Sequence, residues 1–339
     1  MDLPLRERVV APTVMPMPSS SGVAWRAAVP DDIPAIHACA REMDPVDHPH
    51  WTTTLDDIAE EFDHSYTDMT RDSLVAVDGN GEVEAFGFVT LSPGRETLVR
   101  SILAGGVRPR SRGLGMGRQL LDWQVARGMK QLASSDSTLP GWLLVHAEEV
   151  AVEAARLYER AGFSISRYYL ELTRDLAAAI PLPELDGGLR IVHFTPEQES
   201  ATLAARNDAF RDHWGSQPQT AEQWTAFTTN PVFRHDLSWL AIDGDGNVAG
   251  FLLASVNQDD WEPQGFSSAY FDLIGTPRAH RGRGVASALL AKALAACEAA
   301  GLERAVLDVD SENPTGALGI YTRLGFTESS RSMSFTRVH

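Results

Sequence analysis

The sequence predicts a mixed α/β fold built from two tandem halves, and three observations carry that prediction. A basic, glycine-rich segment occurs twice, at Val107–Gly117 and at Thr276–Ala286. A second element, Ala-x-x-x-Tyr-x-x-x-Gly-Phe, follows each copy, at Ala154–Phe163 and at Ala317–Phe326. Around both, strand-like and helix-like stretches succeed one another in the same order.

In the first half a strand near Ala24–Ala27 leads to Asp31 and Asp32, which can cap a helix through Ile36–Arg41. A polar loop with His48, His50 and Trp51 precedes a second helix near Leu55–Phe62. Alternating stretches Ser73–Val77 and Val83–Leu91 flank Asp78-Gly79-Asn80-Gly81 and read as a hairpin. Leu98–Val107 is the strand that enters the first glycine turn, and Gly115–Leu132 is the helix that leaves it. Strand Trp142–Ala147, helix Val152–Ala161 and a closing strand Tyr168–Thr173 complete the half.

The second half repeats the order with strand Leu189–His193 and helices Pro196–Phe210 and Ala221–Thr228. A hairpin of Ser238–Ile242 and Val248–Val256 turns at Asp243-Gly244-Asp245-Gly246. Strand Tyr270–Thr276, the second glycine turn and helix Val285–Ala300 follow. Strand Arg304–Val309, helix Thr315–Leu324 and the final strand Ser332–Arg337 end the chain. Ala177–Gly188, with Pro181, Pro183 and Gly187-Gly188, lacks periodicity. The expected division is therefore an irregular arm at 1–22, a first domain at 23–176, a linker at 177–188 and a second domain at 189–339.

Composition narrows the partners. A chain of 339 residues is long enough for two domains with cores of their own. Its 43% apolar and 22% charged residues suit a soluble globular protein. The formal charge of −17 argues against nucleic acid or an anionic membrane as the main partner. Against that charge, the clusters Arg108, Arg110, Arg112, Arg118 and Arg278, Arg281, Arg283 suggest an anionic ligand at each turn. Cys39 and Cys297 fall in different halves within helix-like patterns and read as buried, reduced thiols. No apolar run approaches the roughly 18 residues of a membrane span, and Met1–Ser21 lacks the apolar core of a secretory signal. Cytoplasmic residence without a membrane partner is expected. No histidine pair has the helical spacing and third ligand that a metal needs, so no metal is expected.

The turns themselves have a chemical logic. Glycines permit a sharp bend that points successive N–H groups into one concavity, and the helix start adds a partial positive charge. Such a device suits a diphosphate. Neither copy matches a dinucleotide fingerprint, because the spacing is Gly-x-Gly-x-(Gly/Ala), and neither contains the Gly-Lys-(Ser/Thr) of a nucleotide phosphate loop.

With Arg112, Gly115, Gly117 and Arg281, Gly284, Ala286 in the pattern Arg-x-x-Gly-x-(Gly/Ala), and with the distal tyrosine elements, both halves resemble GNAT-superfamily N-acetyltransferases. The whole chain is similar to the actinobacterial tandem-GNAT group that includes mycothiol synthase, over roughly residues 23–336. The resemblance implies two domains, each a mostly antiparallel sheet with a splayed central parallel pair flanked by helices. It also implies acetyl-CoA as the donor and a small-molecule amine as the partner. Val107, Arg112, Gly113, Leu114, Gly115, Met116 and Gly117 in one half would hold coenzyme A. Ile274, Thr276, Arg281, Gly282, Arg283, Gly284, Val285 and Ala286 would do so in the other, together with Asn313.

The halves differ where chemistry would occur. The resemblance makes the distal tyrosine a general acid near the sulfur: Tyr321 in one half, Tyr158 in the other. Eight residues before Tyr321 stands Asn313, but eight before Tyr158 stands Val150. By strand alternation Thr276, Ile274, Asp272 and Tyr270 share a face, which offers Asp272 as the base; a strand-end charge meeting solvent is the plainer alternative. The matching face of the first half carries Val107, Gly105, Leu103 and Ser101, without a carboxylate. His213 and Trp214, in the loop between helices, and Asp308, on the strand opposite, are the candidate acceptor residues. The reading is an acetyl-CoA-dependent N-acetyltransferase with its chemistry in the second half. The first half is degenerate and either holds coenzyme A or serves structure alone. Mycothiol synthase proper is a narrower option, opposed by Tyr270, which stands where that enzyme's strand glutamate would fall. A non-catalytic acyl-CoA-binding protein is a third.

Overall fold

Glycine turns, hairpins and alternating strands of these lengths can close a core only by layering helices on sheet, and the chain does so in two units. The computed structural model describes residues 3–181, 183, 185, 188–313 and 316–339. Gly187 of the expected linker and Thr315, the expected start of the last helix, lie outside the described residues.

The first unit comprises Met1–Arg167 and Ser332–His339. It runs α1 (Leu5–Arg8), β1 (Val23–Arg26), α2 (Ile33–Asp47), α3 (Leu55–Asp63), α4 (Met69–Asp72), β2 (Ser73–Asp78), β3 (Val83–Leu91), β4 (Val99–Val107), α5 (Met116–Leu132), β5 (Gly141–Glu148) and α6 (Val152–Arg160). Next comes β6 (Ser164–Asp175), whose residues from Tyr168 onward belong to the second unit, Tyr168–Arg331. That unit continues with β7 (Arg190–His193), α7 (Glu199–Ala209), α8 (Ala221–Thr229), β8 (Trp239–Ile242), β9 (Val248–Ser255), α9 (Trp261–Gln264), β10 (Ser268–Gly275), α10 (Val285–Ala299), β11 (Arg304–Asp310) and α11 (Ala317–Arg323). The last strand, β12 (Thr327–Val338), returns to the first unit at Ser332.

In each unit an antiparallel meander, β1-β2-β3-β4 or β7-β8-β9-β10, ends in a parallel pair, β4 with β5 or β10 with β11. A helix, α5 or α10, makes each parallel crossover, as the connection requires. The strand beyond the pair corrects the expected division. Tyr169–Asp175 of β6, expected to close the first sheet, pairs with β11 in the second unit. Ser332–Val338 of β12, expected to close the second, pairs with β5 in the first. Both are strands; alternation identified them but could not name their partners.

The α10 side of the second sheet packs Leu252, Phe271, Leu289, Leu290, Ala293, Leu294 and Tyr321 together. Its other side packs Phe251, Leu253, Ala205, Ala209 and Trp224 beneath α7 and α8. Both cysteines are buried thiols, and burial pushes Cys39 up to about 11 and Cys297 up to about 12. The arm is more regular than expected: Leu5 is fully buried, Leu5 N–H donates to Ser137 O, and Ser19 N–H donates to Gln119 Oε1 on α5. No helix among the described residues is long and apolar enough to cross a membrane.

Phe335, fully buried on β12 with its ring 5.5 Å from Tyr158, ties the chain's end to the first unit. Phe335→Ala should cost about 3–5 kcal/mol, with hydrogen-exchange protection lost first in β5. Loss confined to β10 and β11 would contradict the pairing.

Candidate active site

The parallel pairs are short, and that creates the clefts. β10 lies against β11 only at Ser268–Tyr270, opposite Arg304–Val306, and β4 lies against β5 only at Val99–Ile102, opposite Gly141–Leu144. Beyond those rungs β10 keeps its partner β9 on one edge and, among the described residues, has no ladder partner on the other, so backbone groups there can pair with an extended ligand.

β10 also carries one residue more than β9 between the rungs Tyr270–Ser255 and Leu273–Leu253. This bulge overturns the expected common face of Tyr270, Asp272, Ile274 and Thr276. Phe271 and Ile274 point to the α10 core, and Leu273 points to the α7–α8 core. Asp272 turns instead to Ser255, accepting from its Oγ at 3.1 Å. Its Oδ2 is buried without a partner. Burial pushes the Asp272 carboxyl up to about 7, against the smaller opposing effect of Ser255.

Tyr270 and Asp308 face each other across the parting strands: the tyrosine hydroxyl donates to Asp308 Oδ2 at 2.6 Å. Burial, then the Asp308 charge, raises the tyrosine pKa. Asp308 opens to solvent, yet the protein around it raises its pKa, with Glu171 adding repulsion from directly across the β6–β11 ladder. Glu171 and Ser255 were missed in sequence. Glu171 sits on the strand assigned to the wrong half, and Ser255 carries no signal of its own.

The first unit lacks the bulge, since β3 and β4 pair without interruption from Ala85–Val107 to Leu91–Ser101. Counted from the parallel rungs, Ile102 therefore stands in the place of Tyr270, one residue later than counting from the turn suggested. Leu103 follows it into the core, and Ser101 is buried, donating to Gln131 Oε1. His146 takes the place of Asp308; its Nδ1 lies 2.9 Å from Ser334 Oγ, and desolvation, then the Arg100 charge, pushes its pKa down to about 4. His146 is therefore neutral at neutral pH, where the second unit has a carboxylate.

The two glycine turns have nearly the same shape. Gly113 and Gly115 have φ of 77° and 84°, and Gly282 and Gly284 have 77° and 76°, so each bend uses the left-handed region that glycine tolerates. A Cβ at Gly113 or Gly282 would meet open space, which leaves a concavity before α5 and α10. Val107, Met116 and Val285 are buried, Ala286 is half-buried and Leu114 is exposed. A side chain at Gly117 would approach Leu157. These positions can serve an anion only through backbone, using the N–H groups that a helix start leaves without carbonyls. Thr276 adds a buried Oγ1 without a partner beside the second turn. A diphosphate fits this donor set.

The arginines do something else. Arg281 Nε and Arg112 Nε donate to Thr276 O and Val107 O, bracing the bends from within. Arg112 also pairs with Asp47 at 2.6 Å, Arg281 bonds Ala209 O and Asp212, and Arg278 pairs with Asp212. Arg108 and Arg110 meet Glu42, Glu82 and Glu84, and Arg283 lies against His280. Carboxylates thus occupy most of the charge expected to attract an anion.

Tyr321 is 7% exposed, packs edge-on against Phe326, and its carbonyl accepts from the Leu324 and Phe326 N–H groups. Burial pushes it up to about 12; Tyr158 reaches about 12 as well, by burial and then the Asp47 charge. Asn313 N–H donates to Asp310 O, in the approach to Gly316 and α11. His213, 4.5 Å from Phe210, reaches the rim between the turn and β11: burial, then Arg281, lowers its pKa, and Asp310 opposes this. Trp214 follows it, half-buried.

Comparison with known proteins gives the family. The model of the acetyltransferase (GNAT) family matches residues 200–326, and that of the acetyltransferase (GNAT) domain matches residues 70–165. The chain belongs to the GNAT acetyltransferases. It is 32% identical over 234 residues to a mycothiol acetyltransferase of Salinispora arenicola, covering 68% of this chain and 71% of that protein. It is 30% identical to one of Frankia alni, covering 77% and 79%. Its fold is that of a GCN5-related N-acetyltransferase from Sphaerobacter thermophilus (TM-score 0.67, 24% identity, 95% and 96% covered). A tandem GNAT protein of the clavulanic acid pathway is also similar (TM-score 0.68, 15% identity, 93% and 98% covered).

Because Asp272 holds its proton to about pH 7 when folded but only to about 3.9 in an unfolded chain, the native state binds more protons between those values. Its contribution to stability therefore falls as pH rises from about 4 to about 7. Asp272→Asn should remove that decline and gain stability relative to the parent at pH 8. Parallel denaturant midpoints from pH 5 to pH 8 for the two proteins would refute it.

Proposed function

We propose that this N-acetyltransferase takes its acetyl group from acetyl-CoA, that the acceptor is a primary amine of a small molecule, and that the chemistry belongs to the second unit. The observation that carries the reading is the unpartnered, buried Oδ2 of Asp272 beside a cleft edge of free backbone. Acetyl-CoA supplies an activated thioester. The turn at Gly282–Ala286 and Thr276 would hold its diphosphate, and the free edge of β10 would align the arm that follows.

Asp272 takes a proton from the attacking amine, and its raised pKa makes it a far stronger base than a surface carboxylate. Tyr321 keeps its proton at every working pH and can donate it toward the departing sulfur. His213 and Trp214 on the rim would contact the acceptor. The first unit keeps the cradle but has Leu103 and Ile102 at the positions of the bulge and Tyr270, so it would hold coenzyme A without transferring from it.

A second reading, in which the product is mycothiol, is favoured by the names of the relatives. Tyr270 opposes it, standing where the resemblance expects a carboxylate.

Tyr321→Phe should lower kcat by about 100-fold or more, while Tyr158→Phe should leave amine-dependent thiol release near the parent rate; the reverse pattern would move the chemistry to the first unit. In the parent, kcat/KM should climb through about pH 7 as Asp272 ionises, and Asp272→Asn should lose both the rate and the climb. Gly284→Glu should abolish one of the coenzyme A sites seen by calorimetry, through strain at φ 76° and a carboxylate in the cradle; unchanged stoichiometry and affinity would exclude that cradle.

A further inference from the structure

The floor of the second cleft holds more negative charge than the transfer needs. Three carboxylates surround the Tyr270 hydroxyl: Asp308 bonds it at 2.6 Å, and Asp272 and Glu171 act on it through their charge. Asp308 and Glu171 are cross-strand partners, a register in which like charges oppose folding. Asp272 Oδ2 is buried without a partner. Among the described residues, the charges that raise the pKa values of Tyr270 and Asp308 are carboxylates, and no cation contributes to the shift of Asp272.

The amine that is acetylated cannot neutralise this floor. It must be uncharged to attack. As the nitrogen–carbon bond forms and the carbon–sulfur bond breaks, the amine proton passes to Asp272 and the sulfur takes one from Tyr321. Among the described residues no cation pairs with Asp308 or Glu171, whose Oε1 accepts only from Ser329 Oγ. A metal ion would lack a third ligand there, since among the described residues only Asp78, Glu82 and Glu84 form a group of three or more side chains whose ligand atoms all lie within 4.8 Å of one another. An extended organic cation does fit. The first cleft, with Ile102, Leu103 and a neutral His146 bonded to Ser334, has no such excess.

Resting on the N-acetyltransferase reading, we infer that the acceptor is a small polyamine: Asp272 serves the nitrogen that is acetylated while Asp308 and Glu171 bind a second, protonated nitrogen of the same molecule.

The test is thiol release from acetyl-CoA by the full chain with α,ω-diamines of three to six carbons, against the n-alkylamine of each length. The best diamine should exceed its alkylamine in kcat/KM by about 30-fold or more. Glu171→Gln and Asp308→Asn, checked for native circular dichroism, should each shrink that ratio to a few-fold, chiefly by raising KM for the diamine. Equal use of alkylamines and diamines, or a ratio that survives both substitutions, overturns the inference and leaves the N-acetyltransferase reading standing. No amine-dependent thiol release from any acceptor overturns both.

Discussion

One supernumerary residue in β10 sets the environment of Asp272 in the second unit. Without it, strict alternation would carry Asp272 and Ile274 on one face, and Leu273 would pair out of step with Leu253. With it, Phe271 and Ile274 both reach the α10 core, while Asp272 stands beside Ser255 and Tyr270. The bulge follows the last parallel rung, where β11 leaves. A carboxylate is thereby held where it has lost water and where hydrogen bonds from Ser255 and its own backbone only partly offset that loss. Its raised pKa is the physical consequence.

The other unit shows what the same framework does without that residue. Its strand pairs without a break, and Leu103 fills the core where a carboxylate would have to be buried. Gly105 supplies the irregularity instead: its φ is 118°, and any Cβ there would collide with Phe86 O, so the position admits no side chain. The turn that follows is shaped as in the second unit, so the glycine turn and the bulge that places Asp272 are separable features of the fold.

Much of this was legible in the sequence, and the omissions have physical reasons. The glycine turns, their helices, the hairpins and the distal tyrosines could be read because φ requirements and periodicity are local. The bulge could not, because Ala269-Tyr270-Phe271-Asp272-Leu273-Ile274 is apolar on both sides of the extra residue and gives alternation nothing to fail on. Pairing partners were equally hidden: β6 and β12 have ordinary strand patterns, and nothing in either says that it will lie against β11 or β5. The arginine clusters misled for a related reason. Their partners Asp47, Asp212, Glu42, Glu82 and Glu84 come from other elements, and only folding shows the charges already matched.

That matching changes how an anion could be held. A chain with formal charge −17 repels a polyanion at long range, and its turn arginines, being paired, do little to reverse the field. At physiological salt such repulsion fades within about 8 Å, leaving the contest to groups that touch the ligand. Backbone N–H groups at a helix start are suited to this, because their dipoles are fixed by the fold and need no counter-ion of their own. The paired arginines then have a different use: by bonding Val107 O and Thr276 O they keep the bends open in the shape that aims those N–H groups. Positive charge at the turns thus goes into geometry, while the carboxylates of Asp272, Asp308 and Glu171 gather around the Tyr270 hydroxyl without a cation among the causes of its raised pKa.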